Sequence, residues 1–375
     1  MRLRGCGTAL VTPFKQDGDV DEAALRGLVR WQVESGIDFL VPCGTTGETP
    51  TLSHEEWLRV IDVTIETAAG RVPIMAGATS NNTREAVAKA KEVSARAGVD
   101  YVLTATPYYN KPTQEGVYQH FKAIAEASAK PLVLYNIAGR TGTNIETSTL
   151  LRLAEVPNIA GVKEASGNIS QIAEVCATVP EDFLVFSGDD AVTLAVIGLG
   201  GVGIISVASN EIPAEMARMT QAALANKWDT ARLLFRKYLP LMQANFIESS
   251  PLPVKAVLAM MGKIEENYRL PLLPMRRDTR SKLQRIVTEI GLIAKPAAPA
   301  PEAAEFYIYE NWAAGPHKIV LHRGSCGQCN QGKGRPAGHD ANHARWHGPY
   351  ATIGLGREAA HGMTGVLIRS ECKCV

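Results

Sequence analysis

Lys163 lies inside the apolar run Ile159 to Glu164, where a charged side chain is costly unless it is paired or directed into a polar cavity. Burial lowers the pKa of a lysine toward neutrality and makes its amine a nucleophile, the chemistry of Schiff-base formation. The same spacing also fits a buried lysine paired with a carboxylate such as Glu164. If both residues belong to one strand they point to opposite faces, which weakens the direct pair. Tyr135 and Tyr109 offer phenols that donate or accept protons, with Thr45 able to link them as a hydroxyl relay; each tyrosine equally suits packing. Arg140 follows Gly139 in a polar loop, where its guanidinium can grip a carboxylate or form a surface ion pair. Thr45 and Thr46, between Gly44 and Gly47, present hydroxyls and backbone N–H groups to a small carboxylate or oxyanion, unless the segment is only a turn.

These residues follow a pattern of elements. Eight short β-branched runs, at 7–12, 39–43, 73–77, 101–106, 131–136, 159–164, 183–187 and 202–207, alternate with longer amphipathic segments. Asp21, Ser53 with Glu56, and Asn82 stand at helix starts, and Gly36, Gly70 and Gly98 at helix ends. Continuous apolar strands alternating with helices predict a parallel sheet covered on both faces, and eight repeats close a (β/α)8, or TIM, barrel. An open doubly wound sheet is the alternative, disfavoured because VTPFKQDG, not a Gly-rich dinucleotide turn, follows the first strand. In a barrel the catalytic loops follow the strands, so GTTGE at 44–48, TPYYN at 106–110, YNIAGRTG at 135–142, GVKEASG at 161–167 and SGDD at 187–190 converge on one mouth. The mouth carries hydroxyls, phenols, an arginine and a lysine, without the His and carboxylate clusters of metal sites, so metal-free chemistry is expected there. Beyond the strands, residues 206–293 read as a packed helical extension with a break at Pro251 and Pro253, and no chemistry is assigned to them.

The chain has 375 residues, enough for a full barrel and an appendage. Its 39 Lys plus Arg balance 38 Asp plus Glu, so charge gives no case for nucleic acid or an anionic membrane. With 46% hydrophobic residues and no apolar run long enough to cross a bilayer, a soluble globular protein is expected. The opening MRLRGCGTALVTPF lacks an apolar signal core, and Cys6, Cys43 and Cys176 are scattered singly, both of which favour the cytoplasm. The Pro/Ala-rich stretch 294–305 divides the chain into a barrel domain, 1–293, and a small Cys/His-rich domain, 306–375.

Taken together, GTTGE, TPYYNKP, YN…GRTG, GVKEASG and SGDD, in that order over about residues 1–293, resemble the dihydrodipicolinate synthase branch of the pyruvate-dependent class I aldolase superfamily. The resemblance implies that Lys163 forms an imine with pyruvate and that Tyr135 moves protons, with Thr45 and Tyr109 as relay partners and Tyr109 reaching in from a neighbouring subunit of a dimer of dimers. It implies pyruvate contacts at Thr46, Ile205 and Gly188, and an aldehyde carboxylate held by Arg140. The implied reaction condenses pyruvate with aspartate 4-semialdehyde and needs no cofactor; sugar-acid aldolases and a silent scaffold with a partner-binding tail are the alternatives. Ala138 stands where the family's loop carries proline. Asn81, Glu85, Tyr108 and His54 match a lysine-regulated pattern, from which Trp57 and Pro50 depart.

After residue 305, FYIYE and HKIVLH read as a hairpin, REAAHGM as a helix and GVLIRSE as a last strand. Cys326, Cys329, Cys372 and Cys374 fit a four-thiolate zinc site, and His339, His343 and His347 would share a face if their segment were helical. A metal-free small domain with a solvated GQCNQGKGR loop is the competing expectation.

Overall fold

The computed structural model describes residues 3–294, 305–311, 316–326, 329, 344–363, 366 and 368–373. The chain divides into two compact units, Met1–Ala294 and Lys295–Val375. In the first, eight parallel strands run β1 (Gly5–Ala9), β2 (Phe39–Val41), β3 (Met75–Gly77), β4 (Tyr101–Ala105), β5 (Leu132–Asn136), β6 (Ile159–Glu164), β7 (Leu184–Ser187) and β8 (Gly203–Ser206). The ladder order β2-β1-β8-β7-β6-β5-β4-β3 closes on itself through a single parallel bridge, Leu40 with Ile74. At that seam Leu40 N–H donates to the Pro73 carbonyl and Gly77 N–H to the Pro42 carbonyl, each at 3.0 Å.

The helices start where the side chains can satisfy the orphan N–H groups. Asp21 caps the helix Glu22–Glu34, Asn82 caps Thr83–Ser94, and Ser53 with Glu56 forms a reciprocal capping box on His54–Ala68. Their apolar faces pack on the outer surface of the sheet in one large core that includes Leu25, Ile61, Val93, Phe121 and Leu150. A second cluster fills the inside of the barrel: Phe39, Val41, Met75, Leu103, Val133, Tyr135, Phe186 and Ile205. The helices Pro213–Leu224, Trp228–Ala244, Leu252–Met260 and Arg277–Glu289 form the extension. Pro251 and Pro253 start the helix Leu252–Met260, while Pro240 is carried inside Trp228–Ala244.

The second unit is a four-stranded sheet of β9 (Phe306–Asn311), β10 (Lys318–Arg323), β11 (Ala344–Tyr350) and β12 (Ile368–Glu371), with a helix at Ile353–Gly362. Its order is β11-β9-β10-β12; β9 and β10 form the expected antiparallel hairpin, and β10 and β12 are parallel. One expectation fails here. His347 does not sit on a helix but on β11, where pairing with β9 satisfies the backbone and its imidazole meets Glu310 at 2.6 Å. His339 and His343 lie outside the described residues.

Candidate active site

Three adjacent strands carry the centre of the barrel mouth. In their register, Lys163 on β6 stands beside Tyr135 on β5 and Phe186 on β7. Strand alternation sends Lys163 inward and Glu164 outward. Glu164 binds the Asn136 amide and accepts the Ser166 N–H at 2.7 Å, so it is occupied on the far face and is not the partner of Lys163. Lys163 is 5% exposed, and its ammonium nitrogen lies 4.1 Å from the centroid of the Tyr135 ring. Burial lowers its pKa to about 7; the charge of Asp190 opposes this and that of Arg140 reinforces it. Tyr135 is buried beside it, and that burial raises its phenol pKa, with Arg140 working in the opposite direction. A half-neutral amine thus stands against a phenol that keeps its proton.

Gly188 follows β7, and its backbone N–H bonds the Glu164 carbonyl at 2.8 Å. A Cβ there would lie 2.8 Å from the Ala165 methyl and 3.1 Å from Lys163 Cγ, so only glycine lets the two strand ends approach around the lysine stem. Ile205 on β8 is fully buried in the same interior cluster as Tyr135. Thr45 and Thr46 form a 3-10 turn after β2, with Thr46 buried and Thr45 exposed. Arg140 sits in the helical turn Ala138–Thr141 and donates Nη2–H to the Ser250 carbonyl at 3.1 Å. Tyr109 is 87% exposed, on a backbone held at φ +74°. Among the described residues, no hydrogen bond joins Thr45 or Tyr109 to Tyr135 within this chain.

Two contributors had no assigned role in the sequence reading. Asp190, the last residue of SGDD, is buried and accepts from the Ser206 hydroxyl at 2.5 Å and from the Val207 and Ala208 N–H groups at 3.1 and 3.0 Å. It ties the end of β7 to the end of β8; burial raises its own pKa, and its charge works against the lowering at Lys163. Glu48, the last residue of GTTGE, meets Lys255 of the helix Leu252–Met260 at 2.6 Å, both side chains being fully buried. The helical extension therefore anchors the Thr45–Thr46 turn. A second acidic residue at a strand end was the available signal for Asp190; nothing local signals a partner 207 residues away.

The Dihydrodipicolinate synthetase family model matches residues 2–290. The chain belongs to the dihydrodipicolinate synthetase family. It is 70% identical over 293 residues to the 4-hydroxy-tetrahydrodipicolinate synthase of Koribacter versatilis, covering 78% of this chain and 98% of that one. The crystal structure of dihydrodipicolinate synthase from Aquifex aeolicus is similar at TM-score 0.75 and 41% identity, over 78% of this chain and 100% of that one. The chloride-inhibited dihydrodipicolinate synthase from Acinetobacter baumannii, solved with pyruvate, is similar at TM-score 0.76 and 43% identity, over 77% and 99%. The family match ends before the second unit.

In that unit a histidine joins two of the four expected thiols. The sulfurs of Cys326 and Cys372 and a ring nitrogen of His322 converge within 4.8 Å of one another. Cys329 is buried in the same turn, with its N–H on the Cys326 carbonyl at 2.9 Å, but its sulfur is not among the converging atoms. Cys374 lies outside the described residues.

Proposed function

We propose that the barrel is a 4-hydroxy-tetrahydrodipicolinate synthase, a lyase of the class I aldolase type that condenses pyruvate with aspartate 4-semialdehyde in diaminopimelate and lysine biosynthesis. The observation that carries the reading is Lys163, buried, without a carboxylate partner and held near neutrality beside Tyr135. The neutral amine adds to the pyruvate ketone, and Tyr135 gives a proton to the departing hydroxyl, so that water leaves and an imine forms. The protonated imine draws electrons from the methyl carbon, which loses a proton to become an enamine. That carbon bonds the aldehyde carbon, and the aldehyde oxygen takes a proton. The amine of aspartate 4-semialdehyde then adds to the imine carbon and expels Lys163, closing the ring. The imine is the electron sink for loss of the methyl proton and for ring closure, and the enamine derived from it is the electron source for carbon–carbon bond formation.

Thr46, Ile205 and Gly188 line the pyruvate side. Arg140, whose charge already reaches Lys163 and Tyr135, takes the carboxylate of the aldehyde substrate. Thr45 and Tyr109 complete a proton relay across a subunit boundary. The support for a shared site is the strain at Tyr109: a non-glycine residue in the left-handed region that presents an 87% exposed aromatic ring has a use beyond its own chain. The active form is accordingly a homo-oligomer, a dimer of dimers, working in the cytoplasm. No helix among the described residues is long and apolar enough to cross a membrane.

Borohydride reduction in the presence of pyruvate tests the core of this reading: the added mass is expected on the peptide carrying Lys163, and an unmodified peptide refutes it. Arg140→Ala should retain trapping while losing on the order of 2–5 kcal/mol of transition-state stabilisation with aspartate 4-semialdehyde. Unchanged turnover of that aldehyde overturns the role of Arg140.

A further inference from the structure

The second unit is small and its core is thin. Phe306, Ile308, Ile319, Leu321 and Val366 are its buried apolar cluster, packed against partly buried residues of the helix Ile353–Gly362. Domains of fewer than about 70–80 residues rarely fold on such a core alone and are commonly held by disulfides or a metal. Strand β12 is an edge strand, paired only to β10 among the described residues. At the shared C-terminal end of these two strands, three metal-ligating side chains meet. His322 is on β10 and 4% exposed; Cys326 is in the turn that leaves β10; Cys372 directly follows β12, with its N–H on the Leu321 carbonyl at 2.9 Å.

The spacing of their atoms is informative. Tetrahedral zinc, with Zn–S near 2.3 Å and Zn–N near 2.0–2.1 Å, holds two sulfurs about 3.8 Å apart and a sulfur and a nitrogen about 3.6 Å apart. Here the Cys326 and Cys372 sulfurs are 3.9 Å apart, and Cys326 Sγ is 3.6 Å from His322 Nδ1. All three atoms lie within 4.8 Å of one another, so the His322–Cys372 separation needs at most a shift of about 0.5–1 Å for one ion to bond each. Two thiolates neutralise the charge of a divalent ion, and the sulfur–imidazole set is the one that suits zinc. The His322 ring also makes an edge contact with Trp346, 5.3 Å between centroids.

We propose that His322, Cys326 and Cys372 bind one zinc ion, which clasps β12 to β10 and stabilises the second unit. The fourth tetrahedral position is filled by a further donor. Two of the three residues lie 46 positions apart, so the site exists only once the sheet has formed, and metal binding is coupled to folding of this unit.

The full-length chain, purified under reducing conditions and loaded with zinc, should carry about one zinc per chain by elemental analysis. The double variant Cys326→Ser/Cys372→Ser and the single variant His322→Asn should each lose it. Because such variants can unfold the unit, cobalt is substituted into the wild-type chain: a sulfur-to-cobalt charge-transfer band with intense tetrahedral d–d absorption is expected. A chelator should make residues 305–373 of the wild type much more sensitive to protease than residues 3–294. The proposal fails if the wild type holds no zinc after loading, if the double variant keeps full stoichiometry, or if the cobalt spectrum lacks a sulfur band. It fails equally if the reduced, chelator-treated unit is as protease-resistant as the loaded one.

Discussion

Two lysines are buried in the barrel unit, and they are treated in opposite ways. Lys255 is locked 2.6 Å from Glu48, and its ammonium lies over the ring of Phe14 at 4.3 Å. Lys163 has a tyrosine face instead of a carboxylate, and Asp190 acts on it only through space. Burial pushes both pKa values down, but Glu48 resists that pressure at Lys255 directly. The first arrangement keeps a charge and uses it to fix a loop; the second gives up the charge and leaves an amine able to attack. Burial alone therefore does not mark a nucleophile. What marks it is burial combined with the lack of an adjacent acid and an orientation toward the strand ends.

The largest effect should come from unpairing Lys255. Lys255→Ala strands Glu48 as a buried charge and should cost roughly 3–5 kcal/mol of stability in denaturant titrations, whereas Glu48→Leu combined with Lys255→Met should be close to neutral. Equal losses in both would show that the pair is not what matters. Next in size is Gly188→Ala, whose methyl collides with Ala165 and the stem of Lys163. Turnover should fall on the order of 100-fold, about 2.7 kcal/mol, with slower borohydride trapping and an unchanged circular dichroism spectrum. Normal trapping would mean that the lysine stem has room to move.

Lys163→Met, by contrast, should abolish trapping while stabilising the fold by roughly 1–4 kcal/mol at pH 7, since it removes a buried ionisable group that has no carboxylate partner. The sign with pH follows from the lowered pKa. The unfolded chain holds this proton up to its ordinary value of 10.5, and the folded chain releases it near 7, so wild-type stability rises with pH between about 7 and 10.5. The advantage of Lys163→Met should be greatest below pH 7 and shrink across that window; a pH-independent difference in melting temperature would contradict it. In the wild type, the rate of imine trapping should climb as pH rises through about 7, as the amine loses its proton.

The ends of the barrel strands were readable because β-branched runs stop at the residues that do chemistry: the expected and observed limits of β6 coincide, and those of β5 and β7 differ by one residue. The first strand lies earlier than its β-branched stretch, at Gly5–Ala9. Gly7 is there because the Phe39 ring fills the space a Cβ would take, a packing demand that strand propensity does not register. The inward aim of Lys163, and with it the weakness of a pair with Glu164, could be read from alternation; the groups that occupy Glu164 on the far face, Asn136 and Ser166, could not. The Glu48–Lys255 pair and the approach of His322 to Cys326 and Cys372 were missed for the same reason. Each is made by residues with ordinary local sequence, brought together by contacts distant along the chain or between strands. In the second unit, the segment at 344–350, with its Gly348-Pro349, carried no clear period, and only pairing with β9 makes it a strand.

The seam between β2 and β3 gives the barrel an uneven stiffness. Pro42 and Pro73 accept bonds across it and have no N–H to return, so each leaves a gap in the ladder at this joint. Across the barrel, β5, β6 and β7 are laced by consecutive pairs on both sides of Lys163. The cylinder thus has a rigid wall that carries Lys163 and a more compliant seam between β2 and β3. Thermal breathing is channelled to that seam, and the amide of Leu40 should exchange its hydrogen well before that of Lys163.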